Sequence, residues 1–593
     1  MNALGASLHP AAVTFAVWAP RCRSLDLVIE GRPCRPMQHD GDGLFTTAIE
    51  DLAAGTRYQY RLDGERYRPD PVSRWQPEGV HGPSVVVDPT FPWTDRRFAG
   101  HALEDLVFYE LHVGTYTTAG TFEAVIGKLD SLVDLGITAI ELMPIAEFPG
   151  SRNWGYDGVH LYAPQSTYGG PEGLRRLVDA AHARGLSVVL DVVYNHLGPE
   201  GNYLAEYAPY FTDRYKTPWG SALNFDGPDA PGVRRHFVEN ARYWVREFHV
   251  DGFRLDAIHA IHDASARHIL TELAEAAREE GRRLGRPVHV VAESHDNDRT
   301  LVRPAAEGGI GLDALWSDDF HHALHALLTR ESGGYYVDFG APALLARAVE
   351  QGFAYQGEPS EYFGRDRGTP SADLPGERFI VSVQNHDQVG NRALADRLGT
   401  ILPFEAVKLA AALLFVAPAL PLLFMGEEYG ETAPFQYFTS FIDRDLTEAV
   451  RRGRTAEFAR FAWNRTIPDP DAPATFVASR LNPALAGAPR HRELLQYYRR
   501  WLRLRRSHPA LGAAGKERTR ATLDTAGQVL TVRRSAAGGA GVVLVANLTA
   551  EARPTAAPAG ARRLLDSADP AFGGPGATVP LAPYQVLLHE VTG

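Results

Sequence analysis

The sequence predicts a (β/α)8 barrel flanked by an antiparallel β-sandwich domain at each end. Three observations lead there. From about residue 100, short apolar runs alternate with helical patterns, the rhythm of βα units. Asp256, Glu293 and Asp387 each stand just past such a run. Buried parallel strands read as near-continuous apolar runs, and polar residues at their C-terminal ends face the mouth of a barrel, where barrel enzymes keep their chemistry. Outside this region the chain shows strand formers between turn residues. At 593 residues it exceeds one ordinary core, so two or three domains are expected.

Residues 1–95 form the first predicted domain. Val13–Trp18, Leu25–Ile29 and Tyr58–Leu62 cluster or alternate strand formers between Gly, Pro and Asp turns, as in a small sandwich. Arg68 to Trp93 is proline-rich and reads as a connecting segment with little regular structure. The barrel is assigned to residues 96–512, with strands at Leu106–Leu111, Ala139–Leu142, Ser187–Leu190, Gly252–Leu255, His289–Ala292, Ala314–Trp316, Phe379–Val383 and Leu420–Phe424. A Tyr-, Pro- and Gly-rich insertion, Leu197 to Gly232, separates the third strand from its helix. Long loops in that position usually shape the active site. After a helical stretch at Tyr497–Arg506, β patterns return at Val529–Arg533, Gly541–Ala546 and Val586–His589, giving a C-terminal β domain over residues 513–593.

Composition narrows the function. A net charge of −12 argues against nucleic acid, whose phosphates need a basic face. The N-terminus has no basic start followed by a long apolar core, so no secretory signal is read there. The most apolar stretch, Leu409 to Met425, is interrupted by Pro418 and Pro421 and is short for a membrane span. Cys22 and Cys34 lack metal-type spacing, and free thiols are the simpler reading, with a disulfide left open. No nucleotide-binding glycine fingerprint follows a strand. A soluble cytoplasmic protein without membrane or nucleic-acid partners is expected.

An Asp or Glu at one strand end is often only the N-cap of the next helix. Three in barrel order, two of them beside His or Arg, point instead to the paired carboxyl groups that flank a sugar–sugar bond in most glycoside hydrolases. In Asp191-Val-Val-Tyr-Asn-His196, Asn195 and His196 are placed to meet sugar hydroxyls, while Asp191 is placed to orient Arg254. In Asp251-Gly-Phe-Arg-Leu-Asp256, Arg254 and Asp256 lie two apart and point the same way. A guanidinium there favours the ionised carboxylate that a nucleophile requires. Glu293 follows Val288–Ala292, and apolar surroundings raise a carboxyl pKa as a general acid needs. In Gln384-Asn-His-Asp-Gln388, His386 is placed to grip hydroxyls and Asp387 to face developing charge.

These four segments, in this order and placement, resemble those of the α-amylase-type glycoside hydrolases, family 13, across the whole barrel. The first sandwich resembles the starch-binding-like module of some members. The resemblance implies Asp256 as nucleophile, Glu293 as acid/base and Asp387 as stabiliser of the oxocarbenium-like transition state. It also implies that Tyr156, His196, Arg254 and His386 line the subsite of the attacked glucose, with Asp157 and Asn195 beside them. Within the family, Glu141-Leu-Met-Pro-Ile-Ala-Glu-Phe-Pro-Gly-Ser-Arg-Asn-Trp-Gly-Tyr-Asp157, Trp316-Ser-Asp-Asp-Phe-His-His322, Gly334-Tyr-Tyr-Val-Asp-Phe339 and Gln384-Asn-His-Asp-Gln-Val-Gly-Asn-Arg392 resemble members that release trehalose from maltooligosyltrehalose. The implied substrate is then an α-1,4-glucan ending in trehalose, with no cofactor. His295, Asp296, Asp318 and His322 follow the fifth and sixth strands and are placed to read the trehalose unit. Tyr203, Tyr207 and Trp219 in the insertion either stack on sugar or form loop core, the latter being favoured. The main alternative is a 1,4-α-glucan branching enzyme. Ser294 and His295 stand where those enzymes carry an acidic residue, which disfavours it. A non-catalytic glucan-binding protein is disfavoured by the presence of all three carboxylates.

Overall fold

Apolar runs bounded by loops, too short to form helices that bury a full face, pair in parallel when helices cover both sides. In the computed structural model, which describes residues 4–459, 467–554, 560–576 and 580–592, eight such runs close into a barrel in chain order. They are β1 (Phe108–Leu111), β2 (Ala139–Leu142), β3 (Ser187–Val192), β4 (Gly252–Leu255), β5 (His289–Ala292), β6 (Ala314–Trp316), β7 (Phe379–Ser382) and β8 (Leu420–Phe424), with β8 pairing back onto β1. Every expected strand forms; β1 starts later than expected and β3 runs on through Asp191 to Val192. That extension matters, because it fixes Asp191 in register opposite Arg254.

The outer helices include α1 (Leu129–Leu135), α2 (Gly170–His182), α3 (Ala230–Phe248), α4 (Ile269–Leu284), α5 (Asp318–Thr329), α6 (Pro342–Gln351), α7 (Phe404–Val416) and α8 (Pro489–Ser507). Helix α2 buries Leu174, Leu177, Val178 and Ala181 on one stripe and turns its other side to solvent. Helix α7 is buried on nearly every side, because the barrel lies on one side of it and the C-terminal sheet and α8 cover the rest. The apolar stretch Leu409 to Met425 is thus the end of α7 and the strand β8, both inside the core. Among the described residues no helix is long and apolar enough to cross a membrane.

Two antiparallel sheets form the N-terminal sandwich, one ordered Gly5–Leu8, Ala12–Trp18, Leu44–Glu50, Gln38–His39 and the other Arg35–Pro36, Leu25–Ile29, Arg57–Leu62, Arg66–Arg68. Phe15, Leu27, Tyr58 and Tyr60 fill the space between them. The proline-rich stretch is ordered around Asp70, which is fully buried and accepts from the hydroxyls of Tyr58 (2.8 Å) and Tyr60 (3.1 Å). The sandwich rests on the barrel insertion. Arg66 and Arg68 each pair with Glu206 at 2.9 Å, and the Tyr207 hydroxyl donates to the Pro69 carbonyl. Cys22 is buried, Cys34 is exposed, and both are free thiols.

At the C-terminus a second sandwich was expected. The described residues form one antiparallel sheet of five strands, ordered Thr519–Leu523, Val529–Ser535, Ala540–Asn547, Val586–Thr592, Arg562–Asp566. One face, with Leu530, Val532, Val542, Leu544 and Ala546, shares the apolar core of α7 and α8, so barrel helices take the place of a second sheet. Arg534 reaches from this sheet to the Val416 carbonyl (3.0 Å) at the end of α7. A cation there meets the free carbonyls and negative end of the helix.

Candidate active site

The strand register gathers the site. Glu110 lies opposite Glu141, and Asp191 opposite Arg254, at the C-terminal ends of β1 to β4. Arg254 has no solvent exposure. Its Nη1 donates to Asp191 Oδ1 (2.8 Å) and to Asp256 Oδ1 (2.7 Å). Its Nη2 is 3.6 Å from Glu293 Oε2, and its plane lies 4.4 Å over the Trp316 ring. One guanidinium therefore bridges Asp256 and Glu293. Asp191 orients it, in line with the strand spacing.

Asn195 was expected to meet sugar. Its amide instead donates to the Asp256 carboxylate (2.7 Å) and carbonyl (2.8 Å), so both of its N–H groups are spent holding Asp256. Ala257, next in the chain, adopts a left-handed conformation with φ of 41°. Such backbone in a non-glycine residue is strained and is kept where the surroundings impose it. Here it aims the Ala257 N–H at Glu293 Oε2. Burial, reinforced by Asp256, Asp387 and Asp318 and opposed by Arg254, pushes the Glu293 carboxyl up to about 8. Burial, with Asp387, pushes Asp318 up to about 6.

On the opposite side, His386 Nδ1 lies 2.5 Å from Glu110 Oε1, and the His386 backbone N–H donates to Glu110 Oε2 at 2.9 Å. Its Nε2 is 2.7 Å from the Tyr156 hydroxyl, which donates to Asp191 Oδ2 at 2.6 Å. Burial disfavours the charged ring, but Asp387 and Glu110 overcome it and raise His386 to about 9. The imidazolium can then donate from both nitrogens, and the chain Glu110, His386, Tyr156, Asp191, Arg254, Asp256 runs without an acceptor facing an acceptor. Tyr156 also stacks on His386 at 5.2 Å. It arrives there through Gly155, whose φ of +108° and 2.1 Å clearance to the Pro144 carbonyl for an added Cβ admit no side chain. Asp157, beside it, is held by Asn153 Nδ2 at 2.7 Å and its carboxyl is raised by burial. Asp387 is the most open of the three expected catalytic carboxylates, 38 % exposed, and is steadied by Asn391 Nδ2 at 3.1 Å.

His196 donates through Nε2 to the Tyr156 carbonyl (2.9 Å) and stacks on Trp219 with ring centroids 4.5 Å apart. Trp219 is 49 % exposed at the hairpin tip, whereas Tyr207 is core and Tyr203 packs on Arg68 and His81. Past Glu293, His295 stacks on Phe363 at 4.9 Å and pairs with Asp296 at 3.6 Å, and Asp296 also pairs with Arg365. His322 is buried against Tyr335 at 4.6 Å. Asp318 accepts from Gln388 Nε2 at 3.4 Å and its charge bears on Glu293 and Asp387, while His322 is set back one helical turn behind it.

Glu110 and Glu141 were not foreseen. Both carboxylate oxygens of Glu141 are buried without a hydrogen-bond partner, and burial beside Glu110 and Asp191 raises its pKa well above the ordinary value. Each sits inside a run otherwise apolar, Phe-Tyr-Glu-Leu and Ala-Ile-Glu-Leu. A carboxyl in a buried strand must be paired or neutral, and that was the available signal. Among the described residues no group of three or more His, Cys, Asp or Glu side chains is placed to hold a metal ion.

A family profile described as "Alpha amylase, catalytic domain" matches residues 96–219, and one described as "Domain of unknown function (DUF3459)" matches residues 516–588. The chain is 47 % identical to the malto-oligosyltrehalose trehalohydrolase of Saccharolobus solfataricus, covering 85 % of this chain and 87 % of that one. It is 41 % identical to that of Mycobacterium tuberculosis, over 94 % and 96 %. A solved structure described as a putative alpha amylase from Salmonella typhimurium matches all of both chains with a TM-score of 0.91 and 41 % identity. A 1,4-alpha-glucan branching enzyme from Corynebacterium jeikeium is 25 % identical over 72 % of this chain and 62 % of its own. The chain belongs to the malto-oligosyltrehalose trehalohydrolases, within the α-amylase-type glycoside hydrolases.

Proposed function

We propose that this protein hydrolyses, with retention, the α-1,4 bond next to the terminal trehalose unit of maltooligosyltrehalose, releasing trehalose and a shortened maltodextrin. The observation that supports it most is the Arg254 bridge between Asp256 and Glu293, since retaining enzymes keep their two carboxyl groups close, about 5–5.5 Å apart. Asp256 attacks the anomeric carbon while Glu293 gives its proton to the departing trehalose oxygen. Glu293 Oε2 is engaged by the Ala257 N–H and Arg254, which leaves Oε1 for that proton. A glycosyl ester on Asp256 results. Water then enters, Glu293 takes its proton, the water oxygen bonds to the anomeric carbon, and Asp256 leaves as a carboxylate. Asp387 faces the positive charge that develops at the ring in each step.

Tyr156, His196, Arg254 and His386 surround the attacked glucose, with Asp157 and Asn195 holding Tyr156's turn and Asp256. His295 and Asp318 lie toward the leaving group, since His295 follows the acid in the chain and the charge of Asp318 bears on it, while His322 stands one helical turn behind Asp318. The protein acts in the cytoplasm on soluble α-glucans. Transfer to a 6-hydroxyl, as in a branching enzyme, would use the same three carboxylates. It is disfavoured by Ser294 and His295 directly after the acid and by the greater distance of that relative. Product analysis on maltotriosyltrehalose and on maltopentaose tests the reading. Free trehalose from the first with little action on the second supports it. Comparable cleavage of both contradicts it, and new 1,6 links on amylose replace it with branching.

A further inference from the structure

A second buried polar cluster packs against the loop that follows Glu293, outside the chain that runs from Glu110 to Asp256. Asp319 has no exposure and Arg367 has 2 %. Arg367 Nη1 donates to Asp319 Oδ1 at 2.6 Å, while Asp319 Oδ2 accepts from Asn297 Nδ2 (2.8 Å), Ala354 N (2.8 Å) and Tyr355 N (2.9 Å). Arg367 Nε donates to the His295 carbonyl at 2.8 Å, and its guanidinium lies 5.4 Å from the Phe363 ring. Phe363 in turn stacks on His295. Three segments distant in sequence therefore meet at one ion pair: the loop after β5, the first turn of α5, and the excursion that precedes β7.

The chain neighbours of this pair face the chemistry. Asp318, next in the chain to Asp319, accepts from Gln388 Nε2 (3.4 Å), one residue past Asp387, and His295 stands two residues beyond Glu293 and packs on His259 at 4.0 Å. A proton donor sits beside the oxygen it protonates, so groups packed next to it on the side away from Arg254 meet the leaving sugar. We infer that the buried Asp319–Arg367 pair is a positioning element that fixes His295 and Phe363 as the wall receiving the disaccharide leaving group. Asp319 and Arg367 touch no substrate and act through that wall. This rests on the trehalose-releasing reading above.

The test compares wild type, Arg367→Lys and Asn297→Gly on maltotriosyltrehalose and on an aryl α-maltotrioside with an activated leaving group. Arg367→Lys keeps the charge and removes the fork that reaches both Asp319 and His295. Asn297→Gly removes a separate donor at a residue whose φ of 54° suits glycine, so it serves if Arg367→Lys fails to fold. Each variant is expected to lose about tenfold in kcat/KM on maltotriosyltrehalose, mainly through KM, and to stay within about twofold on the aryl glycoside. Equal losses on both substrates, or no loss on maltotriosyltrehalose, overturn the inference. A wild-type protein without preference for trehalose-terminated chains overturns the functional reading itself, and the inference with it.

Discussion

Glu293, partly buried, and Glu141, fully buried, are both acids with raised pKa values, yet they differ in what surrounds them. The charges of Arg254, Asp256, Asp387 and Asp318 bear on Glu293, and in the proposed mechanism it enters the reaction protonated. Activity on natural substrate is therefore expected to fall as pH rises through about 8, the value to which burial pushes Glu293. In Glu293→Gln, kcat should drop about 10²–10⁴-fold on a substrate with a poor leaving group, with the alkaline fall removed from what activity remains. A pH–rate series on both proteins checks this. Glu141 has no hydrogen-bond partner among the described residues and takes no part in the proposed steps. The folded protein keeps its proton to a higher pH than the unfolded chain does, so stability declines as pH rises above the ordinary glutamate value of about 4.3. Glu141→Gln should flatten that decline, seen as urea midpoints that differ less between pH 6 and pH 9 than the wild type's, the wild type being the lower at about pH 9.

At the scale of elements, the barrel strands were legible because burial on both faces writes itself as a near-continuous apolar run, and Asp256, Glu293 and Asp387 stand just past three of those runs. Glu110 and Glu141 escaped for the same reason: inside such a run a single carboxyl reads as an interruption. Asp319, Asn297 and Arg367 could not be joined from sequence, since nothing local in three separate segments announces a shared ion pair. The C-terminal sheet shows the same limit. Its alternation marks an inner face, but only the fold reveals that α7 and α8 cover it. Arg534 anchors that contact, donating to the carbonyls of Val416, Gly512 and Ala514. Arg534→Met takes this donor from the buried Val416 carbonyl and is expected to lower stability by about 1–3 kcal/mol in denaturant titration, with kcat unchanged in the protein that stays folded.

Across the whole molecule, three layers of support converge on one cleft. The N-terminal sandwich holds the insertion through Glu206 and Tyr207, and the insertion presents Trp219 to His196. Barrel strands carry the carboxylates and their guanidinium, and the Asp319–Arg367 pair joins α5 to the loop after β5. The chemistry proposed for this cleft is double displacement at Asp256 with trehalose as the leaving group. Proton NMR of the anomeric region, recorded during the first minutes of maltotriosyltrehalose cleavage, tests both halves at once. Two inversions at one carbon restore its configuration, so free trehalose should appear together with maltotriose in its α form, before mutarotation. Maltotriose appearing first as the β anomer would contradict retention, and shorter sugars without free trehalose would contradict the site of cleavage.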